Sequence, residues 1–151
     1  MSFFNDKISK QITDIFTNLK GEVKLLFFTQ ELECPLCRST AAMLQELKAF
    51  SDKLSLESYD FLLDKEKVEQ FRVDKIPCLV VTDKNYSKKG VRFFGLPGGY
   101  EFNSLMQSIL EISGTGERLP EPIVNRIKAL TKPAKIQVFV TLTCPYCPGA
   151  V

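Results

Sequence analysis

A chain of 151 residues, 44% apolar and 25% charged, is long enough for one ordinary domain, or one small domain and part of a second. Its composition is that of a soluble globular protein rather than a disordered one. The 20 basic and 18 acidic side chains give a net charge of +2 and form no long blocks, so neither nucleic acid nor an anionic membrane is an expected partner.

The first twenty residues carry Ile8, Ile12, Ile15, Phe16 and Leu19 at helical spacing with charges between them, which predicts a helix over 1–20 and not a secretory leader. No apolar run is long enough to span a bilayer, and the chain reads as cytoplasmic. Gly21 breaks the pattern. Val23 to Thr29 is mostly apolar and short, and predicts a buried strand.

Directly after it comes Cys34-Pro35-Leu36-Cys37, followed by a helical run from Arg38 to Phe50 with Met43, Leu44, Leu47 and Phe50 on one side. The first thiol then lies at a helix N-terminus, where unpaired amides and the helix dipole favour a thiolate. The second lies one turn on, placed to close a disulfide with it. Pro35 suits the first turn, where a missing N–H costs nothing.

Further along, Leu54 to Leu62 predicts a second strand and Asp64 to Val73 a short helix. Ile76-Pro77-Cys78 opens a third apolar run ending at Thr82, with proline at the strand position that tolerates a missing donor. Asp83 to Gly90 reads as a turn and Val91 to Phe94 as a fourth strand. Leu96-Pro97-Gly98-Gly99 punctuates the chain before an amphipathic helix over 102–112. Cys78 is expected to be a buried small hydrophobe.

Ser113 to Gly116 is linker-like, and beyond it the opening pattern returns. A short helix over 121–130, a strand over 136–141 and Cys144-Pro145-Tyr146-Cys147 repeat the earlier order. The repeat stops four residues after Cys147, so 1–113 reads as a complete unit and 114–151 as the start of a second one, cut short.

Four of the five cysteines fall in CxxC pairs and there is no histidine. Histidine-activated nucleophiles and ordinary histidine-containing zinc sites are thereby excluded. Redox chemistry at Cys34 and Cys37, repeated at Cys144 and Cys147, is the expected use of the pairs, with Pro35, Leu36, Pro145 and Tyr146 shaping the two turns. A zinc site built from the four paired thiols is the alternative. No metal and no cofactor beyond the redox-active disulfide is called for. Glu31 and Glu33 immediately precede Cys34, and nearby carboxylates disfavour a thiolate, so Cys34 is expected to be less acidic than the matching thiol of an intact second site. Strand 23–29 offers no buried acid, which leaves water, Lys24 or Glu33 as the proton acceptor for Cys37.

The order of strand, C-P-x-C helix, second strand and helix, proline-led hairpin and last helix resembles the thioredoxin fold: a central mixed four-stranded sheet flanked by helices, here with the incomplete start of a second such unit. Residues 94–102 and 138–148 are similar to segments of the glutaredoxin-like protein disulfide oxidoreductases, which carry two tandem thioredoxin units. The resemblance implies that Pro77 is a cis proline facing the first pair. It also implies that the backbone of Ile76 receives a protein disulfide or dithiol substrate, and that a thioredoxin-reductase-type donor recycles the thiols. A further possibility is the electron-relay domain of a peroxide-reducing flavoenzyme, which also has two units but whose first unit looks to have lost its CxxC.

Overall fold

The computed structural model describes residues 3–88, 91–116 and 118–151. Met1 and Ser2 of the expected first helix, and Lys89 and Gly90 of the expected turn, lie outside the described residues. Helix α1 covers Asp6–Phe16, strand β1 Val23–Thr29, α2 Cys37–Lys48, β2 Leu54–Asp60, α3 Lys65–Gln70, β3 Cys78–Asp83, β4 Val91–Phe94, α4 Glu101–Ser113, α5 Glu121–Lys128 and α6 Cys147–Ala150.

The four strands form one sheet in the order β2-β1-β3-β4. β1 pairs with β2 in parallel, Val23 opposite Leu54 through Thr29 opposite Asp60. A parallel pair needs a crossover connection, and α2 supplies it. β1 meets β3 antiparallel, Phe28 opposite Cys78, and β3 meets β4 antiparallel, Cys78 opposite Phe94.

The lack of apolar alternation in β1 has a simple cause: both faces of the strand are covered. Val23, Leu25 and Phe27 pack with Ile12 and Phe16 of α1, Met43, Leu44 and Leu47 of α2, and Leu105 and Ile109 of α4. Leu26 and Phe28 turn to the other face, where Phe71, Val73, Cys78 and Val80 form a second cluster with Tyr59 and Tyr86 against it. Three helices thus cover one face, while the other is closed by the short α3 and its flanks. Arg92 on the edge strand ties that second cover down, donating to the Phe71 carbonyl from Nε at 3.2 Å and Nη2 at 2.9 Å.

Caps fix several boundaries more tightly than periodicity does. The Asn5 side chain accepts from Ile8 N–H at 2.9 Å, starting α1 at Asp6, and the helix ends at Phe16 rather than running to residue 20. Asp60 accepts from the amides of Leu62 and Leu63 and Asp64 accepts from the Asp60 amide, which turns the chain and ends β2 two residues before the apolar run does. Gly114, with φ of 91°, closes α4 in the left-handed conformation that favours glycine.

The strand expected over 136–141 does not form. Those residues pair with no strand, and Ile136 and Phe139 are 86% and 91% exposed. Apolar content allows a strand, but only a hydrogen-bonded neighbour makes one, and neither edge of the sheet meets this segment. Among the described residues no helix is long and apolar enough to cross a membrane.

A polar network sits on the less covered face. Lys24 Nζ donates to Glu57 at 2.8 Å and to Tyr86 OH at 2.6 Å, Tyr59 OH donates to Glu57 at 2.6 Å, and Tyr86 OH reaches the same carboxylate at 3.0 Å. The ammonium also lies 4.3 Å from the centre of the Tyr86 ring. Burial pushes the Glu57 carboxyl up, but the hydrogen bonds from Lys24, Tyr59 and Tyr86 outweigh it and hold the group below its ordinary 4.5. The bonds to Glu57 and Tyr86 raise Lys24 above 10.5. A depressed carboxyl stabilises the fold above its unfolded value and loses that contribution as pH falls through the folded one; the raised lysine contributes below 10.5 and loses it as pH rises further.

Two outcomes follow for urea denaturation. Leu25→Ala, in the middle of the central strand at 0% exposure, should lower stability by about 2–5 kcal/mol. Glu57→Gln should cost about 1 kcal/mol at pH 7, with the difference from the unaltered chain shrinking below pH 4.5.

Candidate redox site

The register of the sheet decides where the first cysteine pair goes. β1 delivers Thr29 to one end of the sheet, a loop of four residues follows, and Cys34 comes next. Because β3 is antiparallel and Cys78 lies opposite Phe28, Pro77 stands at that same end, in the bend just before β3 and not, as expected, at a strand position. The Ile76–Pro77 peptide bond is cis, as the resemblance implies. The Pro77 carbonyl is taken by Gly95 N–H at 2.9 Å. Pro77 is buried and Ile76 half-buried.

Cys34 and Cys37 form a disulfide with their Cα atoms 5.3 Å apart. The two ends of the bond are not alike. Cys34 is half-buried among the exposed residues Glu31, Leu32, Glu33, Pro35 and Leu36, whereas Cys37 is only 3% exposed. Pro35 and Leu36 lie in the turn leading into α2, whose first residue is Cys37, so proline precedes the helix instead of sitting in its first turn. Cys37 N–H donates to the Cys34 carbonyl at 3.1 Å, and Thr40 closes the first helical turn on the Leu36 carbonyl through both its amide and its hydroxyl. Glu33 adopts a φ of 58°, which turns the loop sharply just before the first thiol.

Lys24 does not serve this site. It lies at the far end of β1, five residues before Thr29, and at about 3.3 Å per residue that is some 16 Å along the strand; its ammonium is committed to Glu57 and Tyr86. Glu31 and Glu33 are exposed.

Cys144 and Cys147 form the second disulfide, with Cα atoms 5.6 Å apart. Both cysteines are half-buried and Tyr146 is 86% exposed. The helix behind them, α6, is only four residues long, so this pair lacks the buried inner thiol of the first. Ahead of that pair's turn, Tyr100 N–H donates to the Leu142 carbonyl at 3.2 Å. Read along the chain, Gly98 and Gly99 before α4 are only punctuation and give no hint of that contact.

Cys78 is fully buried beside Pro77, and burial pushes its thiol up to about 12. It is a core residue, as expected. Among the described residues no three potential ligands of the Cys, Asp and Glu type lie close enough to hold a metal ion, so the four-thiolate grouping that a zinc site requires is not assembled.

No family model matches the chain. The alkyl hydroperoxide reductase AhpF of Staphylococcus aureus is 26% identical over 147 residues, 97% of this chain and 26% of that protein. The chain thus spans about a quarter or less of the length of the curated relatives it matches. The crystal structure of the NTD_N/C domain of alkyl hydroperoxide reductase AhpF from Enterococcus faecalis superposes with a TM-score of 0.86 at 27% identity, covering 99% of this chain and 71% of that one. A protein disulfide oxidoreductase from Aeropyrum pernix gives 0.85 at 23% identity, with 95% and 62% covered. A mixed sheet in the order β2-β1-β3-β4, a CxxC disulfide at the end of its central strand and these similarities establish a thioredoxin-like fold of the kind found in the AhpF domain and the protein disulfide oxidoreductase.

Proposed function

We propose that the chain is a thiol-disulfide oxidoreductase acting on protein substrates, with Cys34 as the attacking and Cys37 as the resolving thiol. The observation that carries this reading is the asymmetry of the first pair: a half-buried cysteine and a fully buried one, three residues apart, at the mouth of α2. In the reduced protein the Cys34 thiolate attacks one sulfur of a substrate disulfide, forming a mixed disulfide and releasing the other substrate sulfur as a thiolate that takes up a proton. Cys37, after losing its own proton, attacks Cys34. The Cys34–Cys37 disulfide forms, the second substrate thiolate leaves, and two electrons have passed from protein to substrate. Run in reverse, the same steps oxidise a dithiol.

Ile76 and Pro77 receive the substrate in this reading, since they directly precede β3 at the end of the sheet where Cys34 emerges and Ile76 is half-buried. An extended substrate segment pairing with the backbone there would bring its disulfide to Cys34. Residues 1–113 form the working unit, 114–151 the beginning of a second one, and Cys144 and Cys147 a second redox pair. Recycling falls to a thioredoxin-reductase-type donor, and a pair that must be re-reduced fits the cytoplasm.

A second reading rests on the similarity to the alkyl hydroperoxide reductase AhpF. Within a longer protein the same pairs would relay electrons between a reductase domain and a peroxide-reducing partner. The exchange steps at sulfur are identical; only the partners change.

Insulin reduction by dithiothreitol tests the assignment. Relative to a chain carrying Cys144→Ser and Cys147→Ser, adding Cys34→Ser should lower the catalysed rate by at least about tenfold, and adding Cys37→Ser should leave a mixed disulfide on Cys34 that mass mapping detects. If the second pair alone sustains the full rate and the first none, the roles assigned here are wrong. Cys78 serves as the internal control: alkylation of the reduced native chain at pH 8 should leave it unlabelled, and denaturant should expose it.

A further inference from the structure

The contact between the turn before Cys144 and the start of α4 depends on one residue that has no side chain. Gly99 adopts a φ of 56°, a region that residues with a Cβ enter at a cost. A Cβ built there would overlap the Leu142 carbonyl, and the Leu142 Cβ would stand 3.3 Å away. The next residue, Tyr100, donates its amide to that carbonyl. Gly99 therefore makes the room and Tyr100 makes the bond.

Among the described residues this is the backbone hydrogen bond that joins 118–151 to the first unit. The other contact of this segment is α6 against α4. Further along, Pro148 and Val151 face Asn103, Ser104 and Gln107 of α4 across an open cavity, and the buried Ser104 Oγ has no hydrogen-bond partner among the described residues. That contact lies beyond the cysteine pair and leaves an open cavity. The Leu142 carbonyl is the anchor on the near side, two residues before Cys144.

We infer that Gly99 is a positioning residue for the second cysteine pair: its bare backbone lets the Leu142 carbonyl dock on Tyr100 N–H and thereby fixes the turn that presents Cys144 and Cys147. The inference rests on the proposed redox reading only in treating these two cysteines as a reactive pair. Its test uses amide exchange and alkylation instead of turnover, so the two can fail separately.

Gly99→Ala is the variant and Gly114→Ala the control. Gly114 also has a positive φ, of 91°, but an added Cβ meets nothing within 4 Å, so the control carries a similar backbone penalty at the opposite end of α4. In the unaltered chain the Tyr100 amide should exchange at least about fivefold slower than its unprotected rate. In Gly99→Ala that protection should disappear, and the reduced Cys147 should be alkylated about fivefold faster, with Cys34 and Cys37 unchanged. Gly114→Ala should lower thermal stability and leave both readings as they were. An unprotected Tyr100 amide in the unaltered chain overturns the inference even if Gly99→Ala fails to fold. So does a folded Gly99→Ala chain with normal Cys147 reactivity, or a Gly114→Ala chain that reproduces the effect.

Discussion

Everything in this molecule hangs on the burial of β1 on both faces. A strand covered on both sides must satisfy its backbone within the sheet, and β1 does so by pairing with β2 in parallel and β3 antiparallel along almost its whole length. That pairing sets the rest. The parallel partner requires α2 as a crossover, so the cysteine pair opening α2 emerges at the C-terminal end of β1. The antiparallel partner returns to the same end, bringing the cis Ile76–Pro77 bond with it. Cysteine and proline, far apart in sequence, come to the same end of the sheet through register alone.

The two CxxC turns share a motif but differ in setting, and the difference is one of support. Behind Cys37 stands a twelve-residue helix whose Met43, Leu44 and Leu47 are fully buried against the sheet. Behind Cys147 stands a single turn of helix with no buried residue. Helix formation is cooperative and short segments depend on tertiary contact, so the first pair has one cysteine shielded by the core and the other half-buried. In the second pair both cysteines are half-buried and neither is shielded. An accessible attacking thiol and a sheltered resolving thiol are what stepwise exchange calls for.

The less covered face of the sheet shows how a small domain closes a gap with polar groups. Lys24 within β1 looks out of place in an apolar strand, yet Glu57 and Tyr86 hold its ammonium and Tyr59 holds the same carboxylate. These residues come from two strands and a turn with no common spacing, so no pattern in the chain announces them. Burial of a charge is tolerable when it is paired and hydrogen-bonded, and here the pairing joins the central strand to β2 and to the turn after β3.

What was legible beforehand was what repeats locally or has a fixed chemical meaning. The strands at 23–29 and 91–94 and the helix before the linker follow from runs and periods of apolar residues, and the CxxC pairs from spacing. The resemblance implied the cis bond at Pro77. What was not legible needed a partner distant in sequence. Residues 136–141 have the composition of a strand and lack a neighbour to pair with, so they remain exposed backbone. Gly99 reads as a break before a helix until the Leu142 carbonyl, from the far end of the chain, is found against it. The sequence by itself determined the local conformations and the chemistry available at sulfur, because these depend on side chains and their nearest neighbours along the chain. Only the tertiary structure decided which thiol is buried, which acid meets Lys24 and where the second turn docks, because each of those is an energy shared between residues that the chain alone does not bring together.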